Sequence, residues 1–254
     1  VTLTLPTDDG DANQVLETDG SGALSWATPA SAGASAIDDL SDALIEETGS
    51  MYVGNDPSST TNGANYNVAV GTTAMDAITE GDNNTAVGYN ALTSNTAGAG
   101  NTALGYETLK DNTTTSYNVA VGNSALEKNT GGYNTAVGNS SLTNKVSGGY
   151  NTAIGHTAGN NITSGSDNVL IGYNTDASSA TPTNQIVIGK GASGQADNSV
   201  TLGNADVTAV YMAQDAGATI YASSLDASGS AGIVLENDET ITNSTDGEIT
   251  MTGS

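Results

Sequence analysis

"GDNNTAVGYNALTSNTAGAGNTALGYETL", residues 81–109, states nearly the same phrase twice. Asn84-Thr85-Ala86-Val87-Gly88 returns seventeen residues later as Asn101-Thr102-Ala103-Leu104-Gly105. Followed along the chain, the closing glycine falls at Gly54, Gly71, Gly88, Gly105, Gly122, Gly138, Gly155, Gly172, Gly189 and Gly203. The interval is 17 residues throughout, except for 16 between Gly122 and Gly138 and 14 between Gly189 and Gly203. A fixed period of this size marks a repeat architecture, whose units are too small to bury an apolar face alone and do so by stacking.

Read in columns, the residue before each glycine is always aliphatic, from Val53 and Val70 to Ile188 and Leu202. Two places earlier stand Met51, Val68, Thr85, Thr102, Val119, Thr135, Thr152, Val169, Ile186 and Val200. Positions two apart on a strand share a face, so these columns form one β-branched-rich wall. The column between them is mostly alanine (Ala69, Ala86, Ala103, Ala120, Ala136, Ala153) and points the other way. Asn precedes the strand in seven coils, Asn67 to Asn168, where a corner or a side-chain ladder suits it. After the glycine, a weaker phrase places Met75, Leu92, Leu109, Leu126 and Leu142 four residues on, followed by polar turns. The expectation is a coil of two short strands with the aliphatic wall inward and the alanines outward. Small outward side chains would let copies of the chain approach closely, which favours a closed homotrimer. The predicted fold is all-β, a parallel β-solenoid or β-roll of about ten coils, homotrimeric and fibrous. At ~4.8 Å per coil the rod section would be on the order of 45–50 Å long.

Composition narrows the function. Four Lys, no Arg and 28 acidic residues give a net charge of −24, a field that repels phosphate backbones and anionic bilayers. Nucleic acid is therefore not an expected partner, and no stretch approaches the ~20 apolar residues of a membrane span. No Phe, one Trp and no Cys leave a thin core without disulfides or thiol chemistry. The absence of an initiator Met and of a signal-like apolar segment reads as a processed product or a piece of a longer chain.

The phrases "NTAVG", "NVAVG", "NTAIG" and "NSVTLG" resemble the head repeats of trimeric autotransporter adhesins, which implies a left-handed parallel β-roll trimer. Those repeats run shorter, like the interval between Gly189 and Gly203. The flank "LTLPTDDGDANQVLETDGSGALSWATP" (residues 2–28) resembles a segment of bacteriophage tail fibres, particularly those of marine phages. With "NADVTAVYMAQDAGATIYASSL" after the repeats, nearly the whole chain is similar to phage fibre proteins. The resemblance implies a shaft or adhesin for host attachment, located in the virion. Its implied partners are other phage tail proteins and a host cell-surface receptor, for which a polysaccharide would serve. The alternatives are a polysaccharide-degrading tailspike and a bacterial trimeric adhesin on the cell surface.

Three regions follow from the register: an N-terminal fibre segment (1–50), the repeats (51–203) and a β-rich shaft continuation (204–254). In the first, Gln14-Val15-Leu16 and Ala23-Leu24-Ser25-Trp26 suggest short strands. Residues 35–47 put Ile37, Leu40, Leu44 and Ile45 near one helical face, predicting a short helix that a three-helix bundle would stabilise.

Candidate chemistries are few. Gly189, Gly191 and Gly194 have dinucleotide-fingerprint spacing, but no helix pattern follows and Gly189 is the repeat's own glycine. His156, the single histidine, has no second His or Cys for a triad or a zinc site. Glu80, Asp82, Glu107, Asp111 and Glu127 are carboxylates in or near turns, with no spacing that singles out a hydrolase pair. The Gly-Gly-x-Gly-x-Asp phrase of calcium-loaded β-rolls is absent. Tyr66, Tyr117, Tyr133 and Tyr150 precede the repeat Asn, and Tyr89, Tyr106 and Tyr173 follow the glycine. They would either stack on sugars or cover the ends of the core. Thr85, Thr102, Thr135 and Thr152 suggest an ice-binding face only if exposed, and the inward reading of their column predicts burial. No catalytic, cofactor or metal residue is assigned, and the expectation is a non-enzymatic protein without cofactors.

Overall fold

The computed structural model of the chain describes residues 15–18, 23–27, 43–45, 49–54, 63–144 and 147–210. The chain divides into units Val1–Thr208 and Ala209–Ser254, and the description concerns the first. β1 (Val15–Thr18) and β2 (Leu24–Ala27) pair antiparallel in a sheet of their own. The second sheet begins with β3 (Ala43–Ile45) antiparallel to β4 (Met51–Val53).

From β4 onward every pairing is parallel. The strands are β5 (Val68–Val70), β6 (Thr85–Val87), β7 (Thr102–Leu104), β8 (Val119–Val121) and β9 (Thr135–Val137). β10 (Thr152–Ile154), β11 (Val169–Ile171), β12 (Gln185–Ile188) and β13 (Ser199–Leu202) complete the stack. Order in space follows order in sequence, so the chain is a parallel β-solenoid, with eight complete turns from β5 to β13. Register is kept column by column, with Thr85 opposite Thr102, Ala86 opposite Ala103 and Val87 opposite Leu104.

Residues 43–45 form β3 and not the end of a helix, which corrects the helical reading of Leu44 and Ile45. A helix of three turns is marginal alone, whereas the first solenoid strand exposes a row of N–H and C=O groups that an antiparallel partner satisfies. Residues 35–42 lie outside the described residues.

Each coil carries one strand, not two. The second phrase is a run of turns in which non-glycine residues take left-handed φ at alternate positions: Glu107 (53°) and Leu109 (49°), Ser124 (51°) and Leu126 (51°). Its backbone still bonds coil to coil. Glu107 N–H donates to Tyr89 O (2.9 Å), Leu109 N–H to Ala125 O (3.2 Å) and Asp111 N–H to Glu127 O (2.9 Å). Left-handed φ costs a side chain roughly 1–2 kcal/mol. Burying Leu109 or Leu126 completely returns about 1.5–3 kcal/mol.

The largest correction concerns the faces. Ala69, Ala86, Ala103, Ala120, Ala136 and Ala153 are fully buried inside the single chain, against Met75, Leu92, Leu109, Leu126 and Leu142. The aliphatic wall is the outward face. One strand and one turn run enclose a narrow coil, and only a methyl fits opposite a leucine. Asparagine parity agrees, because Asn84 and Ala86 are two apart and share a face. Asn84 is buried, its N–H (2.8 Å) and Nδ2 (3.1 Å) donating to Asn67 Oδ1, and Nδ2 also to Gly98 O (2.8 Å). The ladder continues through Asn101, Asn118, Asn134, Asn151 and Asn168, and ends where Gln185 N–H donates to Asn168 Oδ1 (2.9 Å). A second buried column links Asn112 Nδ2 to Asn95 Oδ1 (3.1 Å) and Asn129 Nδ2 to Asn112 Oδ1 (3.4 Å).

The repeat glycine is fixed by the coil above it. Gly105 has φ +135°, and a Cβ there would lie 2.6 Å from Gly122 O. Gly105→Ala is expected to cost at least ~2 kcal/mol, from backbone strain plus the clash, read as a lowered denaturation midpoint. Ala103→Phe overfills the interior and should cost at least roughly 1–3 kcal/mol. That loss should appear in fold stability, while Phe at the exposed turn residue Thr114 should leave the midpoint nearly unchanged.

Candidate functional site: the outward sheet face

Strand parity places two side chains per coil on the outward face, between an inward polar residue (asparagine from Asn67 to Asn168) and the repeat glycine. One column runs from Met51 to Val200 and the other from Val53 to Leu202, twenty positions occupied by Val, Ile, Leu, Met and Thr alone. Val200 (61% exposed), Leu104 (47%) and Leu202 (46%) are the barest of its apolar residues, and most of the others are half-buried. Nine strand spacings of ~4.8 Å by about 10 Å of strand width make a contiguous patch. It matches the largest that ordinary monomers leave bare, which are often functional.

Thr85, Thr102, Thr135 and Thr152 belong to this face and are exposed or half-buried, which corrects the expectation that they are buried. Sequence reasoning missed the face because it set the aliphatic columns inward. The signal that finds it is the shared parity of Asn84 with Ala86, since a buried asparagine ladder carries the alanines in with it.

Tyrosines edge the face on both sides. Before the strands stand Tyr66, Tyr117, Tyr133 and Tyr150, all with left-handed φ near 60°. After the glycines stand Tyr89, Tyr106 and Tyr173. All seven are 47–67% exposed. The rings stack on one another along the axis: Tyr117 on Tyr133 (centroids 5.1 Å), Tyr133 on Tyr150 (5.0 Å) and Tyr89 on Tyr106 (5.3 Å). A sugar packs on an open aromatic face, and in these stacks the inner faces are already used. Tyr66 and Tyr117 lean over Gly49 and Gly100, where a side chain would meet the ring.

The remaining candidates are scattered. His156 is exposed and stacked on Tyr173 (5.4 Å). Gly189 lies in the glycine column, Gly191 N–H donates to Tyr173 O (2.8 Å), and a turn follows β12 where a dinucleotide fold needs a helix. Glu107 pairs with Lys110 (3.0 Å), and that hydrogen bond holds its carboxyl below the usual range, opposite to what a general acid needs. Asp82 accepts from Asn65 N–H (2.7 Å). Glu80 and Asp111 are exposed and Glu127 is half-buried. Among the described residues no three His, Cys, Asp or Glu gather as a metal site, and no helix is long and apolar enough to cross a membrane. No protein-family model, curated protein or solved structure matches the chain.

One carboxylate ties the last, shorter coil. Asp197 accepts from Thr183 N–H (2.9 Å) and Gln185 Nε2 (3.0 Å), and these bonds lower its pKa. The sign follows from linkage: the contribution is full above the unfolded value of about 3.9 and is lost as pH falls through the lowered folded value. Asp197→Asn should therefore melt below wild type at neutral pH, and the gap should close in acid.

Proposed function

We propose that the chain is a self-associating structural shaft, a homotrimeric segment of a phage tail fibre that serves host attachment. The observation that carries this reading is the outward face: twenty strand positions without one charge, in a chain of net charge −24. An uncharged apolar strip this long suits burial against copies of itself. The preference for the virion over the bacterial surface rests on the flanking segment alone, residues 2–28, whose sequence resembles phage tail fibres. The expected trimer is retained from the sequence reading, but its contact moves from the alanine face to the aliphatic one.

Sedimentation of the full chain should give three times the chain mass. Leu104→Asp combined with Val121→Asp would bury carboxylates at several kcal/mol per copy. That variant should release folded monomers, whereas Thr114→Asp in the exposed turn should not. A folded wild-type monomer would sink the proposal.

One observation favours a second reading. Thr85 is exposed and Thr102, Thr135 and Thr152 are half-buried in one column with Val68, Val119 and Val169, an array at strand spacing able to order water as ice. Thermal hysteresis from a monomer would support it, and a trimer that buries the face would exclude it.

A further inference from the structure

The rim tyrosines follow a rule that contacts within the chain account for at one position only, Gly100, where the ring of Tyr117 leaves no room for a side chain. In each coil the two rim positions are six residues apart: Tyr66 and Thr72, Asn83 and Tyr89, Gly100 and Tyr106, Tyr117 and Asn123, Tyr133 and Asn139, Tyr150 and His156, Asp167 and Tyr173. From the coil of β5 to that of β11, every coil has one tyrosine, on one rim or the other, and never two. The two positions lie at opposite ends of an extended segment, roughly 15–20 Å apart, too far for one ring to exclude another. Stacking along the axis does not produce the rule either, because it would favour filling a single rim from end to end.

We infer that the two rims meet between copies: the rim before the strands in one copy seats against the rim after the glycines in the next, at the same coil height. This rests on the assembly reading. When copies are related by rotation about an axis parallel to the solenoid, their outward faces turn to that axis. Unlike rims then become neighbours at equal height. Each tyrosine meets Thr, Asn, Gly or Asp across the seam, or at the coil of β10 the smaller ring of His156. A slip of one coil sets Tyr66 against Tyr89 and Tyr150 against Tyr173 in one direction, and Tyr117 against Tyr106 in the other. It also sets small residues together, such as Gly100 against Asn123. Bulk meets bulk and gap meets gap, so the pattern selects one register against its neighbours.

The chain has no cysteine, so introduced pairs report cleanly. In the full chain, Tyr133→Cys with Asn139→Cys should form intermolecular disulfides under mild oxidation, giving linked copies on a non-reducing gel. Intrachain closure is ruled out by separation. Tyr133→Cys with Asn123→Cys, one coil out of register, should link at least tenfold less. In parallel, Asn139→Tyr should weaken association at least tenfold, and adding Tyr133→Asn, which exchanges bulk and gap, should restore it to within about threefold. Equal linking by both cysteine pairs, linking by neither, or an Asn139→Tyr chain that associates normally would overturn the seam while a multimeric wild type keeps the assembly reading. A monomeric wild type overturns both.

Discussion

From β5 to β11 each coil is located by one buried asparagine as much as by its three-residue strand. So short a strand offers few ladder bonds, and a coil free to slip would lose them all. Asn101 prevents this by donating its N–H (2.9 Å) and Nδ2 (3.1 Å) to Asn84 Oδ1, and Nδ2 again to Thr115 O (2.9 Å). A buried amide left without these partners would cost about 1–3 kcal/mol, so each coil holds the next in register. Everything else on the strand follows from parity. With Asn inward, the residue two places on is inward too, and the residues between must face out.

Interior volume then decides which residue sits at the inward position. Along the middle of the solenoid it is alanine, because Leu92, Leu109, Leu126 and Leu142 fill the space opposite. Where that leucine column ends, Leu142 of the preceding coil reaches the space at Gly159 beside Ala153, and the next two strands carry larger inward residues, Leu170 in the coil of Asp176 and Val187 in the coil of Ser193, both fully buried. Tyr52 in β4 is likewise fully buried, one coil before the alanines begin. The two columns exchange bulk so that the coil keeps its width, as a close-packed interior demands.

The period, the glycine column and the parallel stacking were legible in the sequence, because a turn glycine recurring beside alternating residues has few other physical readings. The direction of the faces was not read correctly. Hydrophobicity argues for valine inside and alanine outside in any ordinary strand, and here the dimensions of the coil override it. The turn run after each glycine was also misread as a strand. Leu92 and Leu109 look like strand residues, and nothing in their identity announces left-handed φ. The tyrosine series was noticed, but its distribution over two rims acquires meaning only once the strand face between them is known to point outward.

Charge is placed consistently with an associating rod. Of the 28 acidic residues, ten fall in residues 1–50 and eight in 204–254, which leaves ten in 51–203 against all four lysines. The repeat region therefore carries −6 (ten acids less four lysines) of the total −24. Parallel copies brought together along the solenoid would meet little like-charge repulsion there, and salt of physiological strength screens exposed charges beyond ~8 Å. The flanks hold most of the repulsion that keeps such a molecule dispersed. In the proposed assembly, apolar contact and tyrosine pattern would thus act along the part of the chain that carries the least net charge.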